Sequence, residues 1–248
     1  MVVPLNGYAQ HAHAEPGEGE ASEVSALLDI FDGAELEGHV RNYFMSTFNE
    51  GEARDYYTNA TGGAIGIETH PYKGFSAGVK GIFTYQTFSS NLNEADEQAN
   101  AVSKWEHELY DINDHENYHD LDRLEELYLA YDAPKFSALL GKLPMPETNL
   151  VNRSDGRMKP FAYSGALFNW MPDSTTHVFA AGINRVSPRS TVEWYDFNEA
   201  IGIVTNGIQP DGTEAEYEGH SGSKGMVILG LDKEWGGSGQ GANHSLSV

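Results

Sequence analysis

The chain has 248 residues, long enough for one large domain or two ordinary ones, and carries 15 Lys+Arg against 37 Asp+Glu for a formal charge of −22. Such an excess of negative charge repels a phosphate backbone at long range and argues against nucleic acid as a partner, and the absence of cysteine removes disulfide scaffolds, thiol catalysis and cysteine metal sites together. No run of about 18 consecutive apolar residues exists, so no helix here can cross a bilayer, whereas a transmembrane barrel passes the same test because its strands are roughly 10 residues long and alternate apolar with polar side chains.

Residues 1–14 read as the remnant of a signal peptide. Val2, Val3 and Leu5 are the stub of an apolar region and Ala12-His13-Ala14 is an A-x-A cleavage pattern, although the basic n-region is missing. The mature chain is then expected to begin near Glu15 and to lie outside the cytoplasm; an ordinary flexible N-terminus with chance alanines is the alternative. His11 and His13 fall in that tail and are read as bystanders. Residues 15–35 form an acidic lead-in, too polar to pack from Glu15 to Glu23, with one amphipathic turn of helix patterned over Ser25–Phe31.

After Gly33 the period changes to two. His39 to Phe48 alternates imperfectly, with Val40, Phe44 and Phe48 on one face. Gly62 to Thr69 sets Ile65 and Ile67 against Gly66 and Glu68. The clearest strand is Phe75 to Gln86, where Phe75, Ala77, Val79, Phe83 and Tyr85 alternate with Ser76, Gly78, Lys80, Thr84 and Gln86. Further candidates are 124–131, 136–142, 163–170, 177–185 and 224–231, eight in all. The connections alternate in length: 70–74, 132–135 and 171–176 are short turns with Pro or Gly, while 49–61, 89–123, 143–162 and 186–223 are long. Short turns at one end and long loops at the other describe the meander of an outer-membrane barrel. A soluble all-β protein is the competing architecture.

Two blocks resemble the OprD-like family of bacterial outer-membrane porins. The first is Asp55-Tyr-Tyr-Thr-Asn-Ala-Thr-Gly-Gly63 with Ile67-Glu-Thr69 and Tyr72-Lys-Gly-Phe-Ser-Ala-Gly78, similar to that family's first hairpin. The second is Leu140-Leu-Gly-Lys-Leu-Pro-Met-Pro-Glu-Thr-Asn-Leu-Val-Asn152 followed by Ser154-Asp-Gly-Arg-Met-Lys-Pro-Phe161, which resembles the segment entering the family's constriction loop. The likeness spans about residues 36–235. Lys142 stands where the family commonly has arginine, Glu147 interrupts a run of small residues, and Arg153 replaces a proline-like position. The resemblance implies an all-β antiparallel meander of about 18 strands, monomeric barrels often assembled as homotrimers, and passage of small-molecule solutes such as amino acids or carboxylates past a ladder of basic side chains. No cofactor is implied. On this reading residues 36–248 are the N-terminal part of a porin barrel, about 8 of the expected 18 strands, with 241–248 entering a ninth; the chain is expected to be continued by further sequence, because an open sheet in hydrocarbon leaves unpaired backbone groups that lipid cannot satisfy.

A pore selects where it is narrow, by fixed charges and hydrogen-bond groups. The segment 143–162 holds Arg153, Arg157 and Lys159 against Glu147 and Asp155, opposite in sign to the acidic chain around it. Folded inward, it would attract a carboxylate, with Asp155 available to orient an arginine; a solvated loop forming local ion pairs is the bland alternative. Arg41, Lys80 and Lys142 occupy strand positions opposite apolar neighbours, and since a charge on the lipid face costs a few kcal/mol near the midplane, the lumen is their expected place. Between Glu94 and Asp122 lie ten acidic residues, one lysine and three histidines. Without EF-hand or H-E-x-x-H spacing this reads as a solvated extracellular loop with no metal. There is no G-x-S-x-G or P-loop, so catalysis is not expected. The functional expectation is a channel in contact with outer-membrane lipid; a secreted or outer-membrane all-β binding protein or hydrolase without a pore is the rival.

Overall fold

The computed structural model describes residues 31–118, 121–146, 148, 151, 153–203, 222–236 and 243–247. The expected export signal and nearly all of the acidic lead-in lie outside these residues. Ten strands are described: β1 (Glu35–Thr47), β2 (Tyr56–Glu68), β3 (Phe75–Ser89), β4 (Leu121–Ala133), β5 (Phe136–Leu143), β6 (Ala162–Asp173), β7 (Thr176–Ser187), β8 (Tyr195–Asp196), β9 (Met226–Gly236) and β10 (Asn243–Ser247). They form one antiparallel sheet in the order β1-β2-β3-β4-β5-β6-β7-β9-β10, with the two-residue β8 on the end of β7. Strands β1 and β10 do not pair with each other, so the meander is open.

Local chemistry sets the turns. Tyr72 and Phe75 exchange both backbone hydrogen bonds, at 2.8 and 2.9 Å. Between them Lys73 and Gly74 have φ of 53° and 86°, the two-residue hairpin turn whose twist matches the strands it joins. Pro134-Lys135 and Ser174-Thr175 close the next two tight hairpins. Gly141 of β5 faces Gly165 of β6 in register; their φ values are 129° and 158°, and a Cβ on Gly165 would lie 1.9 Å from the Gly182 carbonyl oxygen.

The two faces of the sheet invert the usual order of a soluble protein. One is bare and apolar: Leu36, Val40, Phe44, Ile65, Val79, Phe83, Leu127, Leu129, Leu140, Val227 and Leu229 are exposed on it. At its short-turn edge Phe75, Tyr131, Phe136 and Phe168 stand in a row, with ring centroids 4.6, 5.7 and 6.0 Å apart, as aromatic girdles of membrane barrels do. Buried charge and polarity gather on the other, inner face, at Thr58, Thr84, Arg123, Glu125 and Glu126. A bulge in β4 skips Glu125 in the ladder with β3. One extra residue shifts the alternation, and both Glu125 and Glu126 are buried as a result.

The long connections pack onto the inner face. Leu143, Met145 and Val151 are buried with Tyr163, Leu167, Phe179, Ile183 and Ile228 of β6, β7 and β9 and with Ala200 of a short helix, Phe197–Ile203. A second cluster joins Leu92, Leu109 and Tyr110 to Tyr56 and Ala60 of β2 and to Met158. Each large apolar side chain so buried contributes about 1.5–3 kcal/mol, which is what holds these connections against the sheet.

Two expectations need correction. The first long connection is shorter than 49–61, because Tyr56 to Thr61 belong to β2: their small and polar composition reads as loop, but Tyr56, Thr58 and Ala60 point to the inner face and are buried there. The acidic stretch is not a solvated loop throughout. Glu106, His107, Glu108 and Asp111 are buried, around a 3-10 turn at His107–Leu109.

Candidate functional site

The inward-packed segment 153–161 is a tight loop, closed by the Phe161 amide donating to the Arg153 carbonyl at 2.7 Å. Its charges meet partners from distant strands. Arg41 of β1 donates from Nη1 and Nη2 to the two oxygens of Asp155 at 2.7 and 2.9 Å, a bidentate pair that fixes orientation as well as position, and its Nη1 also donates to the Arg157 carbonyl. Partial burial by itself would raise the Asp155 carboxyl; the hydrogen bond and charge of Arg41 outweigh it and hold the group below the usual carboxylate range.

Arg153 pairs with Glu125 at the bulge of β4. The neighbouring Arg123 guanidinium lies 3.8 Å from the other Glu125 oxygen and is wholly buried. It donates to the carbonyls of Pro160 at 2.6 Å and of Pro188 and Thr191 at 3.3 Å, and to Ser187 Oγ at 3.1 Å. A guanidinium keeps its charge when buried and offers five donors in a fixed fork. Arg123 thereby knits the segment 153–161 to the one after β7.

Lys80 of β3 sits 2.6 Å from Glu37 and 3.6 Å from Glu126. Lys142 of β5 donates to the Leu124 carbonyl at 3.1 Å, with its Nζ 4.5 Å from the Trp194 ring centroid. Arg41 and Lys80 are register neighbours of inner-face residues, whereas Lys142 pairs in register with Leu127 of the apolar face, and its amine reaches past the end of the strand to the Leu124 carbonyl and Trp194.

Arg157 donates from Nε to Glu108 Oε2 at 3.0 Å, and Arg189 donates from Nη2 to the same oxygen at 3.2 Å. Three connections, those after β3, β5 and β7, converge on this one carboxylate. Lys159 is fully buried between them; the Ser190 amide donates to its carbonyl at 3.4 Å and its charge acts on Asp111. It backs the site rather than fronting open water. Among the described residues no three His, Asp or Glu side chains come together as a metal site.

Of the seven residues expected from sequence, Arg41, Asp155 and Arg157 are brought into direct contact, Arg153 and Lys80 join them through carboxylates of β4, and Lys142 and Lys159 stand apart. Arg123, Glu125, Glu108 and Arg189 are additional members. Strict alternation groups Arg123 and Glu125 with Leu127 and Leu129 on the apolar face; the bulge at Glu125 turns them inward, and alternation alone does not reveal it. Glu108 and Arg189, in long connections, carry no local signal.

The sequence matches no family profile and no curated protein. Solved structures do match. OccAB2 of Acinetobacter baumannii superposes with a TM-score of 0.60 at 15% identity, over 84% of this chain and 47% of that one. OpdK of Pseudomonas aeruginosa, solved with vanillate, gives 0.54 at 13% identity over 84% and 47%, and OccK2 (OpdF) of the same species, in complex with glucuronate, 0.54 at 12% over 88% and 46%. The chain therefore spans about half the length of the structures it resembles. They are outer-membrane porins of the OprD/Occ kind, so the sequence resemblance holds at the level of the fold: this chain has the open antiparallel wall of such a barrel.

Proposed function

We propose that this chain forms part of the wall and constriction of an outer-membrane diffusion channel for small polar or charged solutes, carboxylates in particular. The observation that carries the reading is the inversion of the sheet. A bare apolar face suits lipid, and on the opposite face Arg41 and Lys80 meet a folded-back segment that carries Arg153, Asp155, Arg157 and Lys159. Vanillate and glucuronate, named with two of the similar structures, are both carboxylates, and guanidiniums are the groups that match a carboxylate in geometry and charge. Residues 1–14 would serve export, outer-membrane lipid would cover the bare face, homotrimers would be the assembled form, and no catalysis is assigned.

The test is electrical. The full-length protein that carries this chain, purified into a planar bilayer, should give discrete current steps, a reversal potential displaced from zero in a salt gradient, and concentration-dependent block by glucuronate. A protein that binds detergent or lipid yet passes no current overturns the channel and leaves an all-β binding protein.

A further inference from the structure

Glu108 is buried, and its Oε2 accepts from two arginines of different connections, Arg157 at 3.0 Å and Arg189 at 3.2 Å. The two guanidiniums are each only partly exposed, at 19% and 18% of their side-chain surface. Like charges this close repel strongly in a medium of reduced dielectric. The shared carboxylate offsets that repulsion, and two positive charges on one negative leave the trio with a net charge of plus one. By contrast, Arg41 and Asp155 cancel each other, and Arg153 has Glu125. Arg189 is held further by donating from Nη1 to Ser154 Oγ at 3.3 Å, on the same segment as Arg157.

We propose that Arg189 acts with Arg157 as a solute-facing, specificity-determining arginine, and that Glu108 is the positioning residue that sets their spacing and holds their joint charge at one. The inference rests on the channel reading and deepens it: the selectivity of the constriction is fixed by three connections meeting at one carboxylate.

The experiment compares wild type, E108Q, R189Q and the double variant in planar bilayers, reading reversal potential in a salt gradient and half-blocking glucuronate concentration. Current from the wild type establishes the channel; its absence overturns both readings at once. With wild-type current present, E108Q should move the reversal potential toward anions and R189Q toward cations, with the double variant close to wild type. A unit charge about 8 Å from the solute, at an effective dielectric between 20 and 80, corresponds to a change of roughly 2- to 30-fold in binding, and half-block should move by that factor in opposite directions. A purely structural role would displace E108Q and R189Q in the same direction. That result, or unmoved potentials in a conducting channel, overturns the proposal. Should E108Q fail to assemble, R189Q against R189K decides it: R189K keeps the charge but not the shared fork, and must retain the wild-type reversal potential while weakening block.

Discussion

Lys80 of β3 and Glu126 of β4 are register partners across the inner face, Nζ to Oε1 3.6 Å apart, and the pair beside them, Val79 and Leu127, points to the bare face. One step along each strand exchanges an ion pair for an apolar pair. The alternation fixes the surroundings of both faces, since charge is costly in hydrocarbon and large apolar side chains are costly in water.

From this comes a labelling prediction. The chain has no cysteine, so single cysteines can be introduced without background. Cysteine at 80 or 155 should react readily with a membrane-impermeant thiol reagent, and cysteine at 79, 83, 127 or 129 should be protected in bilayers. Ready reaction at 83 and 129 with protection at 80 would assign the faces the other way round.

How much of this was legible beforehand depends on the range of the interaction. Strands β3, β4 and β6 announce themselves because alternation is a local signal, and the short turns because Pro and Gly have fixed backbone preferences. The first half of β2 does not, since Thr58, Asn59 and Ala60 have loop-like composition and are buried only through neighbours far along the chain. The site divides the same way. The inward placement of Arg41 and Lys80 follows from periodicity, whereas Glu108 takes its meaning from arginines 49 and 81 residues away, and no window of sequence contains them.

Replacing Arg157 and Lys159 together by glutamine should shift selectivity toward cations, read as reversal potential in a salt gradient. The two should contribute unequally. Arg157 is part-exposed beside Glu108, while Lys159 has no exposed surface and its charge is felt through protein and Asp111. R157Q alone should therefore carry most of the shift. An equal shift from K159Q alone would place Lys159 at the water-filled path.

Gly165 of β6 and Gly182 of β7, one register step apart, give a steric contrast. A Cβ at Gly165 would lie 1.9 Å from the Gly182 carbonyl oxygen, whereas nothing lies within 4 Å of one at Gly182. G165A should cut the yield of heat-resistant folded protein on unboiled gels severely, and G182A should leave it at wild-type level. Equal yields would mean that β6 and β7 can part at this point without loss.

The last prediction concerns His107. Its ring is buried in the connection after β3, with Nε2 3.1 Å from the Leu92 carbonyl oxygen and its face stacked on His115 at 4.5 Å. Tyr118 lies edge-on. Its chain neighbours bind elsewhere: Glu106 accepts from Thr47 of β1 at 2.8 Å and from Ser103 at 2.6 Å, and Glu108 holds the two arginines. Burial first, and then the charge of His115, push the His107 imidazole down from 6.5 to about 4, against the smaller opposing effects of the Leu92 carbonyl hydrogen bond and of Glu106. Because the folded value is depressed, the unfolded segment binds the proton more readily. The stability of the neutral ring is fully present above pH 6.5 and declines as pH falls toward 4, by at most about 3 kcal/mol from 1.36 kcal/mol per unit. Asp111, raised by burial before all else, contributes with the opposite sign at the acid end. Hydrogen exchange over residues 90–118 should thus quicken between pH 6.5 and 4.5, after correction for intrinsic rates, while the strands keep their protection. H107Q, which cannot titrate, should flatten most of that dependence; a profile unchanged in H107Q would transfer the effect to the carboxylates around it.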